Sequence, residues 1–129
     1  MERKVTKIDG KKSISDAVDL MIKENVWSLL ITSNGVPTGV VTDRDIMKRA
    51  VVKGTDRKSV AISTIMTTPI ITVNAADTME RAMSLMVEKK VRRLYVSDGA
   101  KIIGRVTQTG LFQATFDVME GLNRVFGQV

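Results

Sequence analysis

The stretch Gly39-Val40-Val41-Thr42-Asp43-Arg44-Asp45 joins two patterns. An apolar strand end runs into Thr42. Beyond it Ile46, Met47, Ala50 and Val51 recur at helical spacing. Thr42 is placed to N-cap that helix, and Asp45, three residues on, can reach back as a capping box does. The free N–H groups of the first turn suit a phosphate. A carboxylate beside them can accept hydrogen bonds from both hydroxyls of a ribose. Two readings stand at this point: Thr42 and Asp45 merely cap a helix, or they form half of a nucleotide site.

The pattern returns as Gly104-Arg105-Val106-Thr107-Gln108-Thr109-Gly110, at a separation of 107 − 42 = 65 residues. The offset holds without a gap well beyond the motif. Ala17 falls on Ala82, Leu20 on Leu85, Met21 on Met86, Val26 on Val91 and Leu29 on Leu94. This is an internal duplication, with repeat 1 over 1–64 and repeat 2 over 65–129. At one telling position the copies disagree: Asp45 becomes Gly110.

Two copies of this size are each marginal alone and are expected to share a core. Hydrophobic content of 43% and charged content of 26% fit an ordinary soluble protein. No apolar run reaches a membrane span, and Met1-Glu2-Arg3-Lys4 lacks the apolar stretch of a signal peptide, so a cytoplasmic setting is expected. With no cysteine there is no disulfide or thiolate chemistry, and with no histidine the commonest general base and metal ligand is missing. The net charge of +6 comes from basic groups around Lys4, Arg49 and Arg92. It reads either as a solvated surface or as attraction for an anionic partner. One Trp and one Tyr make a poor stacking platform for single-stranded nucleic acid.

Taken in order, Val5 to Ile8 reads as a strand. Ser13 or Ser15 opens a helix with Ile14, Ala17, Val18, Met21 and Ile22 on one face. Trp27 to Thr32 and Thr38 to Thr42 form a hairpin about Asn34-Gly35. A helix follows from Asp43 to Lys53, stopped by Gly54. A short helix is expected between Val60 and Met66, and after Pro69 a strand from Ile70 to Val73. Asp77 or Thr78 caps a helix whose buried face is expected to be Met79, Ala82, Met83, Met86 and Val87. The methionines are read as core. Arg92 to Ser97 and Lys101 to Val106 make the second hairpin. A last, longer helix from about Gln108 carries Phe112, Phe116, Met119, Leu122 and Phe126. Each copy is thus strand-helix-strand-strand-helix, with a right-handed parallel crossover and an antiparallel hairpin. The fold class is α+β, two β-α-β-β-α repeats packed about a pseudo-twofold axis with clefts lined by both.

This tandem unit, ending in Gly-hydrophobic-hydrophobic-Thr-x-x-Asp, resembles a pair of cystathionine-β-synthase-type (CBS) domains from about Val5 to Ala114. The resemblance implies a regulatory module that binds an adenosine-containing ligand (AMP, ADP, ATP or S-adenosylmethionine) and pairs into dimers. It implies roles for Asp45 at the ribose hydroxyls, Thr42 near the phosphate with Arg44 between them, and Arg92 and Arg93 at phosphate. Ile70 and Ile71, with Met66 and Val91, would surround the adenine. Adjacent strand residues point to opposite faces, so Arg92 and Arg93 cannot both reach one phosphate directly. In the second site Thr107 is kept, but Gly110 cannot hold a ribose, and Trp27-Ser28 replaces the basic pair beside Thr6. That site is expected to be degenerate.

The leading expectation is therefore a sensor without catalytic activity. It needs no cofactor beyond its regulatory nucleotide, forms a homodimer, and is expected to pass its occupancy to an unidentified partner protein or to its own dimer geometry. No nucleophile with a base is visible, and Asp43 and Asp45, two apart on a helix start, do not face one another. The alternatives are a basic nucleic-acid-binding protein, which lacks a recognition helix or RNA motif, and a structural dimerisation module with vestigial sites.

Overall fold

The computed structural model describes the backbone of residues 1–126 and the side chains of residues 1–122. The chain divides into two compact units, Val5–Ile70, and Met1–Lys4 together with the chain from Ile71 onward. The repeats read from sequence meet at residues 64 and 65; in the structure the first four residues join the C-terminal unit. Both units are small α+β folds built on a three-stranded sheet.

In the N-terminal unit, β1 (Lys7–Asp9) runs parallel to β2 (Ser28–Ser33), and β2 runs antiparallel to β3 (Val36–Thr42). The helix α1 (Ile14–Glu24) makes the crossover. Ser13, not Ser15, caps it by accepting from the Asp16 N–H, and Asn25 closes it in the left-handed conformation. The middle of β2, Leu29-Leu30-Ile31, is fully buried. Each such side chain contributes roughly 1.5–3 kcal/mol on leaving water. Ala17 and Met21 of α1 pack beneath, with Ile62 and Ile65 from a 3₁₀ turn (Ile62–Ile65) closing the core. The helix after β3 is α-helical over Asp43–Ile46 (α2) and widens to a π-helical turn over Met47–Val51.

The C-terminal unit repeats the plan with β4 (Thr72–Asn74), α3 (Met79–Lys89), β5 (Arg93–Asp98), β6 (Lys101–Thr107) and α4 (Gln108–Phe126). β4 starts two residues later than the sequence suggests. Both hairpins carry a register shift at the same place, between Ile31 and Thr32 and between Val96 and Ser97.

The glycines of the two motifs have a shared cause. In the N-terminal unit Thr67 bridges Val40, with backbone bonds of 3.0 and 2.8 Å. A Cβ on Gly39 would lie 2.7 Å from Met66 Sδ. In the C-terminal unit Glu2 bridges Arg105 with bonds of 2.9 and 2.8 Å, and a Cβ on Gly104 would lie 2.7 Å from the Glu2 carbonyl oxygen. Met1-Glu2 is therefore the counterpart of Met66-Thr67, and each glycine lets a crossing segment lie flat on its sheet.

Two expectations about buried faces are corrected. On α3 the buried residues are Ala82, Leu85 and Met86, while Met79, Met83 and Val87 are exposed. On α1, Ile22 is exposed as well. Both helices are apolar over more of their circumference than one sheet covers, and helical periodicity does not say which stripe meets the sheet. Phe112, Phe116, Met119 and Leu122 of α4 are exposed; the Phe126 side chain lies outside the described residues. No helix among the described residues is long and apolar enough to cross a membrane.

Candidate functional site

β3 delivers Thr42 to the start of α2, where the capping box forms in full. The Asp45 N–H donates to Thr42 Oγ1 at 3.3 Å, and the Thr42 N–H donates back to Asp45 Oδ2 at 2.9 Å. The Thr42 hydroxyl also lies 3.2 Å from Oδ2. The other oxygen, Oδ1, accepts from the Thr67 hydroxyl at 3.1 Å, and Arg49 Nε stands 3.9 Å from it. Arg49 is held in turn: its Nη1 donates to the Ile65 and Met66 carbonyls at 3.2 and 3.0 Å. A carboxylate offers about four acceptor positions. Oδ2 has both of its positions taken, whereas Oδ1 has one hydrogen bond and room for another. Asp45 is thus a half-buried anion, oriented at both oxygens, with one acceptor position open.

The remaining residues expected at the site lie as follows. Arg44 is exposed in the first turn of α2. Met66 is half-buried over Gly39, with its sulfur 3.8 Å from the Thr38 hydroxyl. Ile70 is half-buried at the end of the N-terminal unit. Ile71, Val91, Arg92 and Arg93 belong to the C-terminal unit. Ile71 and Val91 pack against its core. The Ile71 carbonyl accepts from the Tyr95 N–H at 3.2 Å. Arg92 is exposed just before β5, its carbonyl accepting from the Gln108 N–H at 2.7 Å, and Arg93 is half-buried opposite Thr107. The two arginines differ in burial as adjacent residues at a strand start should.

In the second copy Thr107 keeps its cap, accepting from the Gly110 N–H at 3.0 Å, and no side chain stands at the place of Asp45. Where Thr67 lies in the first copy, Glu2 lies in the second, and its carboxylate is taken by Arg105 at 2.7 and 2.6 Å. Of the corresponding strand residues, Trp27 is exposed and Ser28 is buried opposite Thr42. The Thr6 carbonyl accepts from the Leu30 N–H at 3.0 Å, while its hydroxyl is buried with no hydrogen-bond partner.

Sequence reading missed Arg49 and Thr67. A signal was present: among the differences between the copies around the cap are Asp45 with Gly110, Arg49 with Ala114, and Thr67 with Glu2. In the first copy Arg49 and Thr67 both stand against Asp45; in the second none of the three is kept.

A family model for the CBS domain matches residues 1–52 and again residues 62–117. Among curated proteins, CBS domain-containing protein YhcV of Bacillus subtilis is 31% identical over 106 residues, covering 82% of this chain and 75% of that protein. An uncharacterised protein of Methanocaldococcus jannaschii is 24% identical over 121 residues, and the chain spans 65% of its length. A solved structure from Burkholderia ambifaria, described as a putative signal-transduction protein with CBS domains, superposes with a TM-score of 0.83. It is 27% identical, covering 88% of this chain and 83% of that one. The chain belongs to the CBS-domain family, with two tandem repeats. Proteins of this family are generally regulatory, ligand-binding modules.

Proposed function

We propose that the chain is a regulatory module without catalytic activity that binds one adenine nucleotide, or S-adenosylmethionine, through the Thr42–Asp45 cap. The observation that carries this is the Asp45 carboxylate. It is oriented at both oxygens and keeps an open acceptor position on Oδ1, where a ribose hydroxyl can donate. A carboxylate that merely capped a helix would not need Thr67 and Arg49 as well. The phosphate roles of Thr42, Arg92 and Arg93 rest on the family resemblance, as do the place of Arg44 in the site and those of Met66, Ile70, Ile71 and Val91 at the adenine. The same reading makes the protein a cytoplasmic homodimer. The exposed apolar faces of α3 and α4, with Met79, Met83, Val87, Phe112 and Phe116, support self-association.

Calorimetry with AMP, ADP, ATP, S-adenosylmethionine, NAD, GTP and adenosine tests the reading. One adenosyl ligand should bind at one per chain, with adenosine and GTP weaker. A ligand at about 100 times its Kd adds roughly 2.7 kcal/mol of stability, a plain thermal shift. No shift from any adenosyl ligand would leave a structural module with vestigial sites.

A further inference from the structure

We infer that Arg49 is a positioning residue of the nucleotide site, acting through Asp45 and assisted by Thr67, and that it sets the site's discrimination for a ribose hydroxyl. The inference rests on the ribose role of Asp45 given above.

Arg49 stands four residues after Asp45, one turn along the helix, with Nε 3.9 Å from Oδ1. A surface pair of that length is worth little by itself, because a free arginine loses rotamer freedom to hold it. Here the freedom is already spent. Nη1 is fastened to two carbonyls, those of Ile65 and Met66, at 3.2 and 3.0 Å. The guanidinium is thereby parked beside Oδ1 without depending on Asp45. Thr67, the next residue of the same segment, donates to that oxygen at 3.1 Å. One segment, 65–67, thus fixes both the cation and the hydroxyl that orient Oδ1. The capping box sets Oδ2 alone.

The internal duplication serves as a control. Where Asp45 gives way to Gly110, Arg49 gives way to Ala114 and Thr67 to Glu2. The π-helical turn Met47–Val51, which carries Arg49, has no counterpart in α4, helical from Gln108 to Phe126. Such turns concentrate at functional sites. The second copy folds without the arginine, so the fold does not require it. The arginine accompanies the carboxylate.

The test is a double-mutant cycle read by calorimetry with AMP and 2′,3′-dideoxy-AMP on the full chain. Arg49→Ala should weaken AMP about tenfold and dideoxy-AMP less than twofold, and it should add nothing in an Asp45→Ala background. Equal losses for both ligands, or losses that add to that of Asp45→Ala, would overturn the inference and place Arg49 on the phosphate. A second readout needs no ligand. The Asp45 carboxyl-carbon chemical shift of labelled protein should move in Arg49→Ala/Thr67→Val, because Oδ1 loses both partners while the capping box keeps Oδ2 in place. An unchanged carboxyl shift in that variant overturns the positioning role. A wild type that ignores AMP while that shift moves in the variant overturns the nucleotide reading instead.

Discussion

Replacing Asp45 with alanine probes both readings of the motif at once. Four interactions disappear. The Thr42 N–H and hydroxyl lose their acceptor at 2.9 and 3.2 Å, the Thr67 hydroxyl loses its acceptor at 3.1 Å, and Arg49 loses its anion at 3.9 Å. Thr42 and Thr67 are both open enough for water to replace what is lost. The stability cost is therefore that of one cap, about 1 kcal/mol, or a few degrees in Tm for a chain of this size. Binding should suffer more. One charge-assisted hydrogen bond from a ribose hydroxyl is worth roughly 1.5–3 kcal/mol, which converts to about a 10- to 150-fold loss of AMP affinity. Acceptance of both hydroxyls, the expectation from sequence, would require the Thr67 hydroxyl to leave Oδ1 and would raise the loss further. Titration of AMP into wild type and Asp45→Ala, with a melting curve for each, separates the two effects. One nucleotide per chain should bind the wild type, and the variant should melt as a folded protein. A variant that binds AMP normally, or a wild type with two equal sites, would refute the reasoning from the Asp45–Gly110 difference.

Three further outcomes are expected. Gly39→Ala places a Cβ 2.7 Å from Met66 Sδ and 3.0 Å from the Thr67 carbonyl oxygen; overpacking of this kind costs about 1–3 kcal/mol, visible as a lower urea midpoint. Asp56 titrates below the ordinary carboxylate range because the Ser59 hydroxyl and then the Lys58 N–H donate to it. Its contribution to stability is present above the ordinary value and is lost as pH falls through the lowered one, and Ser59→Ala should move its NMR titration midpoint upward. Sedimentation should show a dimer at micromolar concentration that Met83→Glu/Phe116→Glu converts to monomer. Both side chains are already exposed in a single chain, so the variant's far-UV circular dichroism should be unchanged.

What the sequence determined by itself is what neighbouring residues determine. The capping signals at Thr42, at Ser13 or Ser15, and at Asp77 or Thr78 each name a helix start to within two residues, and the structure settles the last two on Ser13 and Thr78, whose hydroxyls meet an N–H three residues on. The hairpin turns Asn34-Gly35 and Asp98-Gly99 adopt positive φ at Asn34, Gly35 and Gly99, as their residue types allow. The 65-residue offset then supplies the second half of the fold from the first. The Asp45 side of the site was legible for the same reason, since its cap is local. Tertiary structure alone decided the rest. It chose Leu85 over Met83 for the core of α3, because two apolar stripes compete for one sheet. It laid Met66 on Gly39 and Met1 on Gly104, contacts that sequence spacing does not announce. It brought Thr67 across 22 residues to Asp45 Oδ1 and tied Arg49 to the same segment. The Asp45 carboxylate is placed by its own helix, but its Oδ1 is held by a segment whose approach depends on how the chain folds back onto β3.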